Sequence, residues 1–78
     1  MAELRLFAAA REAAGTATIV IDAPTVGAVL DEARSRFGEH FAAVLDASRV
    51  WLNGEPTTDD ALIGERDTVA VLPPVSGG

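Results

Sequence analysis

The residues with the most suggestive chemistry form the last stretch of the chain, Pro73-Pro74-Val75-Ser76-Gly77-Gly78. They follow an apolar run, residues 69–72, that is typical of a buried strand. Neither proline can donate a ladder hydrogen bond, so the sheet is expected to end before Pro73. Glycine has no Cβ, and a Gly-Gly end can therefore enter a channel too narrow for other residues. The chain ends in a main-chain carboxylate with no bulky side chain beside it.

This stretch can carry its carboxylate well away from a folded domain. Six extended residues reach roughly 20 Å, at about 3.3–3.6 Å per residue. We therefore predict a folded domain over residues 1–72 and a flexible tail over residues 73–78, with Gly78 as the reacting residue. The alternative is an inert tail, because Gly/Ser-rich ends are often frayed or added.

The composition limits the partners and the chemistry. The chain has 78 residues, which suits one domain, and 49% of them are hydrophobic. Its net charge of −6 disfavours nucleic acid and anionic membranes, since phosphate binding needs clustered Lys and Arg. The same net charge favours steering toward a basic partner surface.

Several functional classes are unlikely to apply to this sequence. It has no cysteine, which excludes disulfides and thiolate catalysis, and His40 is its single histidine, so we predict no metal site. No apolar run approaches the ~20 residues of a membrane span, and the first residues lack the order of a signal peptide. We therefore expect a cytoplasmic protein that has no acid-base constellation of its own.

The first half of the chain predicts two strands and two helices. Residues 3–8 and 16–22 alternate as half-buried strands, and residues 9–14 between them favour a short helix that Gly15 ends. Thr25 is the expected N-cap of a long helix, Gly38 is its expected stop, and a short helical turn should follow around residues 41–45. The side chains predicted to face inward are Leu4, Leu6, Ala8, Ala17, Ile19, Ile21, Val26, Val29, Leu30, Ala33 and Phe37.

The second half predicts a hairpin and a final strand. Residues 49–53 form a third strand, Asn53-Gly54 is a hairpin turn signal, and Pro56 restricts the returning strand to a sheet edge. Residues 58–63 are expected to form one helical turn, and residues 64–67 turn the chain into the last strand. Two strands, a main helix and two or three more strands indicate an α+β fold. It is a β-grasp, or ubiquitin-like, fold with a mixed four- to five-stranded sheet and one main helix on one face.

The strand alternation also predicts an uncovered apolar surface. The residues that face away from the helix should be Phe7, Trp51, Ala70 and Leu72, if the helix side of the sheet carries Leu4, Leu6, Val50, Leu52, Val69 and Val71. In a β-grasp the first, third and last strands are neighbours, so these four side chains should lie together beside the tail. Contiguous exposed apolar surface usually marks a partner site, and aromatic residues are typical anchors.

The tail resembles that of the small, sulfur-carrying subunit of molybdopterin synthase, a ubiquitin-like sulfur-carrier family. The similarity lies in Leu72-Pro73-Pro74-Val75-Ser76-Gly77-Gly78, in the opening stretch from Leu6 to Gly15, and in Leu52-Asn53-Gly54. One departure is the turn before the last strand, where the family often has Asp-Gly-Asp and this chain has Glu65-Arg66-Asp67. If that turn needs a positive φ, Arg66 is strained or the turn is built differently.

The resemblance implies a mechanism in which Gly78 carries sulfur. An adenylating, E1-like activating enzyme would use ATP on the Gly78 carboxylate, and a persulfide donor would convert it to a thiocarboxylate. The synthase large subunit would then receive the tail in a hetero-oligomer and supply the acid-base groups, so this chain itself would be non-catalytic and bind no cofactor. Two such transfers to the cyclic pterin precursor would build the dithiolene of molybdopterin.

Individual residues receive roles from the same resemblance. Pro73 and Pro74 would lower the ordering entropy of threading the tail, Val75 and Ser76 would contact the channel, and Gly77 would keep the tail slim. Arg11, just beyond the first strand, would contact a partner. The open alternatives are a sulfur carrier for thiamine or cysteine biosynthesis, and a ubiquitin-like protein modifier.

Overall fold

The computed structural model describes residues 2–73, and Met1 and residues 74–78 lie outside the described part. Five strands form one sheet in the order β2-β1-β5-β3-β4, in which β1 and β5 are parallel and the other pairs are antiparallel. This mixed sheet with its helices confirms the predicted β-grasp. The elements are β1 (Ala2–Leu6), α1 (Ala8–Ala14), β2 (Thr18–Ile21), α2 (Val26–Phe37), α3 (Glu39–Asp46), β3 (Arg49–Leu52), β4 (Glu55–Pro56) and β5 (Thr68–Leu72).

The first strand confirms the predicted alternation but ends earlier than predicted. Leu4 and Leu6 are buried, whereas Ala8 is exposed, so the prediction that Ala8 faces inward is wrong. The reason is that the Phe7 carbonyl already accepts the first helical hydrogen bond, from the Ala10 N–H at 3.2 Å. Ala8 enters α1 with a φ of 51°, which is uncommon for a residue with a Cβ. The predicted end of α1 is confirmed, since Gly15 has a φ of 76°.

The second strand pairs antiparallel with β1, as predicted. Ile21 is buried and Ile19 is half-buried. Ala17 is exposed, so its inward assignment is wrong. The strand starts only at Thr18, and Ala17 contributes its carbonyl, which accepts the Leu6 N–H at 2.8 Å.

The main helix follows its sequence signals closely. The Thr25 hydroxyl accepts the Ala28 N–H at 3.1 Å, and Gly38, with a φ of 91°, ends the helix. The predicted stripe faces the core, and only Phe37 within it is half-buried. The second helical segment is longer than the predicted turn, because α3 spans eight residues.

The core lies between the sheet and the helices. Phe41 of α3 is fully buried and packs against Phe37 with ring centroids 5.0 Å apart. No polar or charged side chain in residues 2–73 is buried. Within that range no helix is long and apolar enough to cross a membrane. The other largest fully buried side chains are Leu4, Leu6, Ile21, Val26, Val29, Val69 and Val71.

The predicted hairpin is confirmed, but the helical turn after it is not. Asn53 and Gly54 have φ values of 51° and 87°, as a two-residue hairpin loop requires, and Pro56 lies in the two-residue edge strand β4. Residues 58–63 form a turn and an isolated pairing of Leu62 with Thr25. The main chain of this segment instead bonds to the first turn of α2, where the Asp59 carbonyl accepts the Gly27 N–H at 2.8 Å.

Asp67 builds the turn that leads into β5. Its carboxylate accepts hydrogen bonds from the Gly64 N–H at 2.7 Å and from the side-chain amide of Asn53 at 3.0 Å. The side-chain oxygen Oδ1 of Asn53 in turn accepts the Thr68 N–H at 2.9 Å. No positive φ is present at Arg66. Arg66 therefore carries no strain of that kind.

The hydrogen bonds to Asp67 predict an acid-dependent contribution to stability. The Gly64 N–H, and then the Asn53 amide, hold the pKa of Asp67 below its ordinary value. A carboxyl whose pKa is lowered by folding stabilises the protein above its unfolded pKa, near 3.9, and that contribution is lost as the pH falls through the folded pKa. We expect Asp67→Asn to lower the melting temperature at pH 7, with a deficit that shrinks below about pH 4.

Thermal melts across this pH range test the prediction. Asp22→Asn is the control, because that exposed carboxylate makes no hydrogen bond or ion pair within residues 2–73. A melting-temperature deficit for Asp67→Asn that stays constant from neutral to acid pH would show that the charge of Asp67 does not contribute to stability.

A second carboxylate, Asp60, also has a lowered pKa, mainly because it accepts a hydrogen bond from the Thr58 hydroxyl.

Candidate functional site

The last strand carries the chain to the predicted tail. β5 ends at Leu72, and Pro73 is exposed beyond it. Most of the predicted tail lies outside the described part. The resemblance assigns sulfur transfer and most of the channel threading to these residues, which are Pro74, Val75, Ser76, Gly77 and Gly78. Their roles, and the boundary between domain and tail, stay predictions.

The exit point of the tail is firmly anchored. β5 lies in the sheet interior, with β1 on one side and β3 on the other. Val71 pairs with Leu6, its carbonyl accepts the Phe7 N–H at 3.2 Å, and Leu72 pairs with Arg49. A strand held on both edges is among the most stable parts of a sheet fold. Whatever follows Pro73 therefore leaves from a defined place.

The side of the sheet away from the helices is called here the open face. Val69 and Val71 are fully buried against the helices, so Ala70 and Leu72 point to the open face. The strand registers extend this assignment, because residues directly opposite one another share a face. The strand residues of the open face are Glu3, Arg5, Thr18, Val20, Arg49, Trp51, Pro56, Thr68, Ala70 and Leu72.

An apolar row crosses the open face near the exit. Trp51 lies opposite Ala70 of β5 on one side and opposite Pro56 of β4 on the other. Leu72, two residues after Ala70 in β5, points to the same face and extends this row. Trp51, Ala70 and Leu72 are half-buried. The row is therefore a shallow apolar surface and not a protruding one.

Phe7 stands at the corner between this face and the helices. Its side chain is 41% exposed. It lines one groove of about 130 Å³ with Arg5 and Arg11, and another of about 210 Å³ with Val44 and Pro73. The structure thus places Arg11 beside Phe7, and both at the end of the sheet from which the tail leaves.

Sequence reasoning left Arg5, Arg49 and Pro56 out of the predicted partner surface, although the alternation of the first strand had placed Arg5 on the same side as Phe7. Arg49 lies directly opposite Leu72, Arg5 lies opposite Ala70, and Pro56 lies opposite Trp51. A signal was present, because Arg5 and Arg49 are each two residues from a predicted outward aromatic, Phe7 and Trp51. Residues two apart in a strand share a face.

The charges of this surface are only partly paired. Arg5 Nε lies 2.7 Å from Glu3 Oε1. Arg11 and Arg49 form no ion pair with any described residue, whereas Arg34 and Arg36 on α2 do. The positive charges of Arg11 and Arg49 are thus available to another molecule.

The ionisable side chains of residues 2–73 are all at least partly exposed, so none is desolvated as a buried catalytic acid or base would be. Within the same range no three His, Cys, Asp or Glu side chains are close enough together to hold a metal ion. His40 lies exposed on α3. The open face and the end of β5 are therefore the candidate functional features of the described part.

A β-grasp domain with an anchored last strand and an apolar open face beside it is a ubiquitin-like protein. The comparisons with known proteins are more specific. The model of the ThiS family matches residues 4–78, and this chain belongs to that family. A molybdopterin synthase sulfur carrier subunit from Arabidopsis thaliana is 38% identical over a match of 76 residues, and the match covers 94% of this chain and 78% of that protein.

Solved structures agree with this assignment. SAMP1 from Haloferax volcanii is 32% identical with a TM-score of 0.83, and the match covers 99% of this chain and 98% of that one. A putative molybdopterin converting factor, subunit 1, from Pyrococcus furiosus is 26% identical with a TM-score of 0.83, covering 95% and 97% of the two chains. The β-grasp fold is therefore shared along almost the whole length of these proteins.

Proposed function

We propose that this chain is the sulfur-carrier subunit of molybdopterin synthase. The observation that carries the proposal is its 38% identity, over 94% of its length, to an Arabidopsis thaliana protein of that name. The Gly77-Gly78 end, preceded by Pro73-Pro74, supplies the chemical group that such a carrier needs.

The carrier reaction begins with activation of Gly78. A carboxylate is a poor acyl donor, so the activating enzyme joins it to the α-phosphate of ATP and releases pyrophosphate. The terminal sulfur of a persulfide then attacks the acyl carbon and expels AMP. The new bond joins the acyl carbon to that sulfur, which is still bonded to the donor's sulfur. A second thiol then cleaves the donor's original sulfur–sulfur bond, forming a disulfide with the donor and leaving Gly78 as a thiocarboxylate.

The domain and its tail have separate parts in this scheme. The tail enters the active site of the synthase large subunit, where the thiocarboxylate sulfur attacks the pterin precursor and the large subunit supplies the acids and bases. The open face, with Trp51, Ala70 and Leu72, docks on the partner, and Phe7 and Arg11 contact it at the corner. Because the exit from β5 is anchored, docking this face sets the starting point of the tail.

Intact-mass analysis tests the proposal. The chain is incubated with ATP, the activating enzyme and a persulfide donor from the same genome. We expect one oxygen to be replaced by sulfur, and the product to react with a thiol-directed alkylating agent. Alkylation is needed because oxidation of Met1 or Trp51 gives nearly the same mass change. An unmodified chain end under these conditions would contradict the proposal.

A second candidate is a protein modifier, which would be joined to target lysines through Gly78. It is favoured by the 32% identity to SAMP1, named small archaeal modifier protein 1. Recovery of branched Gly-Gly-lysine peptides from native cells would support this candidate. A chain that becomes thiocarboxylated but does not bind a molybdopterin synthase large subunit would instead be a carrier for another pathway, such as thiamine or cysteine biosynthesis.

Trp51 is expected to be the main anchor of the docked face. Truncating a central aromatic anchor commonly costs 2 kcal/mol or more of binding free energy, or about thirtyfold in Kd. We expect Trp51→Ala to weaken large-subunit binding by about that factor, measured by titration calorimetry. Leu62→Ala is the control, because Leu62 is 79% exposed but lies in the loop beside the start of α2. Equal losses for the two variants would exclude a specific role for Trp51.

A further inference from the structure

The open face has a charge opposite to that of the whole chain. Among its strand residues the ionisable ones are Arg5, Arg49 and Glu3, so the face carries +1. The chain carries −6 in total, and the remaining side chains therefore sum to −7. Arg11 lies next to this face, in the groove that it shares with Arg5 and Phe7.

Many acidic side chains lie at the other end of the sheet. β5 runs from Thr68 toward the exit at Leu72, and Glu65 and Asp67 precede its start. Asp22 follows the end of β2, which runs antiparallel to β1, and Glu55 follows the hairpin turn. A strand of five residues spans roughly 16 Å. That distance exceeds the Debye length of about 8 Å at physiological ionic strength, so an approaching protein senses the two ends separately.

Arg49 is positioned to meet a partner that docks on the apolar row. It is exposed, lies directly opposite Leu72, and is two residues from Trp51 on the same face. A partner surface that covers Trp51 and Leu72 would desolvate this guanidinium. Burying an unpaired charge is costly, whereas a carboxylate can accept two parallel hydrogen bonds from arginine. Arg49 forms no ion pair within residues 2–73, so the carboxylate has to come from the partner.

We propose that the open face binds an apolar surface edged by carboxylates on the synthase large subunit, with Arg49 and Arg11 as the paired cations. This inference rests on the proposed function, because that function identifies the large subunit as the protein that covers the open face. The net charge of the chain alone favours the opposite, a basic partner. The acidic end of the domain repels such a carboxylate-edged surface, and the exit end attracts it. Charge therefore favours the docking orientation in which the exit end of the sheet, from which the tail leaves, faces the large subunit.

Charge reversal tests the proposal on the full chain with the large subunit from the same genome. We expect Arg49→Glu to raise Kd at least about tenfold at about 0.01 M ionic strength. The effect should be smaller at about 1 M, where the Debye length falls from roughly 30 Å to roughly 3 Å and the long-range repulsion is screened. A part should remain, because salt screens a desolvated contact pair much less. Arg49→Gln removes the charge without reversing it and should give an intermediate loss. It also serves as a second variant should Arg49→Glu disturb the strand.

Arg66→Glu is the matched control. Arg66 is exposed and without an ion pair among the described residues, like Arg49, but it lies in the turn before β5 at the acidic end. We expect its Kd to stay within about twofold of the wild-type value. Unchanged or tighter binding by both Arg49 variants would overturn the proposal, as would equal weakening by Arg66→Glu. If the wild-type chain itself fails to bind the large subunit, the proposed function fails together with this inference.

Discussion

Adding one alanine after Gly78 is expected to abolish sulfur transfer, and so is deleting Gly78. The extension moves the reacting carboxylate onto a residue with a Cβ and lengthens the tail by about 3.3–3.6 Å. A displacement of that size is far beyond the ~1 Å tolerance of a positioned reaction centre. The melting temperature should not change, because β5 ends at Leu72 and its pairing partners are all within residues 2–73.

The measurement is the amount of thiocarboxylate formed per chain, followed by the amount of dithiolene product made with the large subunit. Asp22→Asn is the control, since it changes an exposed residue away from the tail and keeps the Gly-Gly end. If the extended chain supports product formation at the wild-type rate, and mass analysis shows that the alanine has not been trimmed off, Gly78 is not the sulfur-bearing residue.

Phe41→Ala is expected to lower the free energy of unfolding by about 3–5 kcal/mol. Phe41 is fully buried, and its ring packs on Phe37 at 5.0 Å, so the substitution removes a large side chain and leaves a cavity. A domain of this size is expected to have a total stability of only about 4–12 kcal/mol. The substitution should therefore remove a large fraction of the total stability. Urea titration monitored by circular dichroism measures the change.

Phe7→Ala is the matched control for this prediction. The same atoms are removed, but Phe7 is 41% exposed at the corner of the open face. We expect it to lower the free energy of unfolding by less than about 1 kcal/mol, and to weaken binding of the large subunit instead. Equal destabilisation by the two substitutions would show that Phe41 does not hold the helices on the sheet.

These outcomes would separate the two tasks of the chain. The core between the sheet and the helices contains Phe41, Leu4 and Val71 and supplies stability. The other side of the sheet and the chain end are proposed to supply function, through Trp51, Arg49 and Gly78. Alternation along each strand makes the separation possible, because neighbouring residues point to opposite sides.

Local patterns in the sequence were enough to predict most elements of the fold. The alternation around Leu4 and Val69 identified the inner side of the sheet, Thr25 and Gly38 bounded the main helix, and Asn53-Gly54 specified the hairpin. Each of these signals acts through the residue's own backbone preference or its nearest neighbours. The candidate site was predicted in the same way, since Trp51, Leu72 and the Gly-Gly end are visible in the chain itself.

The sequence by itself thus determined the β-grasp and the apolar row, because local preference and periodicity specify them, whereas the tail stays a prediction. Only the tertiary structure decided the features that depend on distant partners. Residues 58–63 do not form a helical turn because their main chain bonds the first turn of α2, where a Cβ on Gly27 would lie 3.0 Å from the Asp59 carbonyl oxygen. The charge of the open face likewise depends on strand register, which places Arg49 opposite Leu72 although 23 positions separate them in the chain.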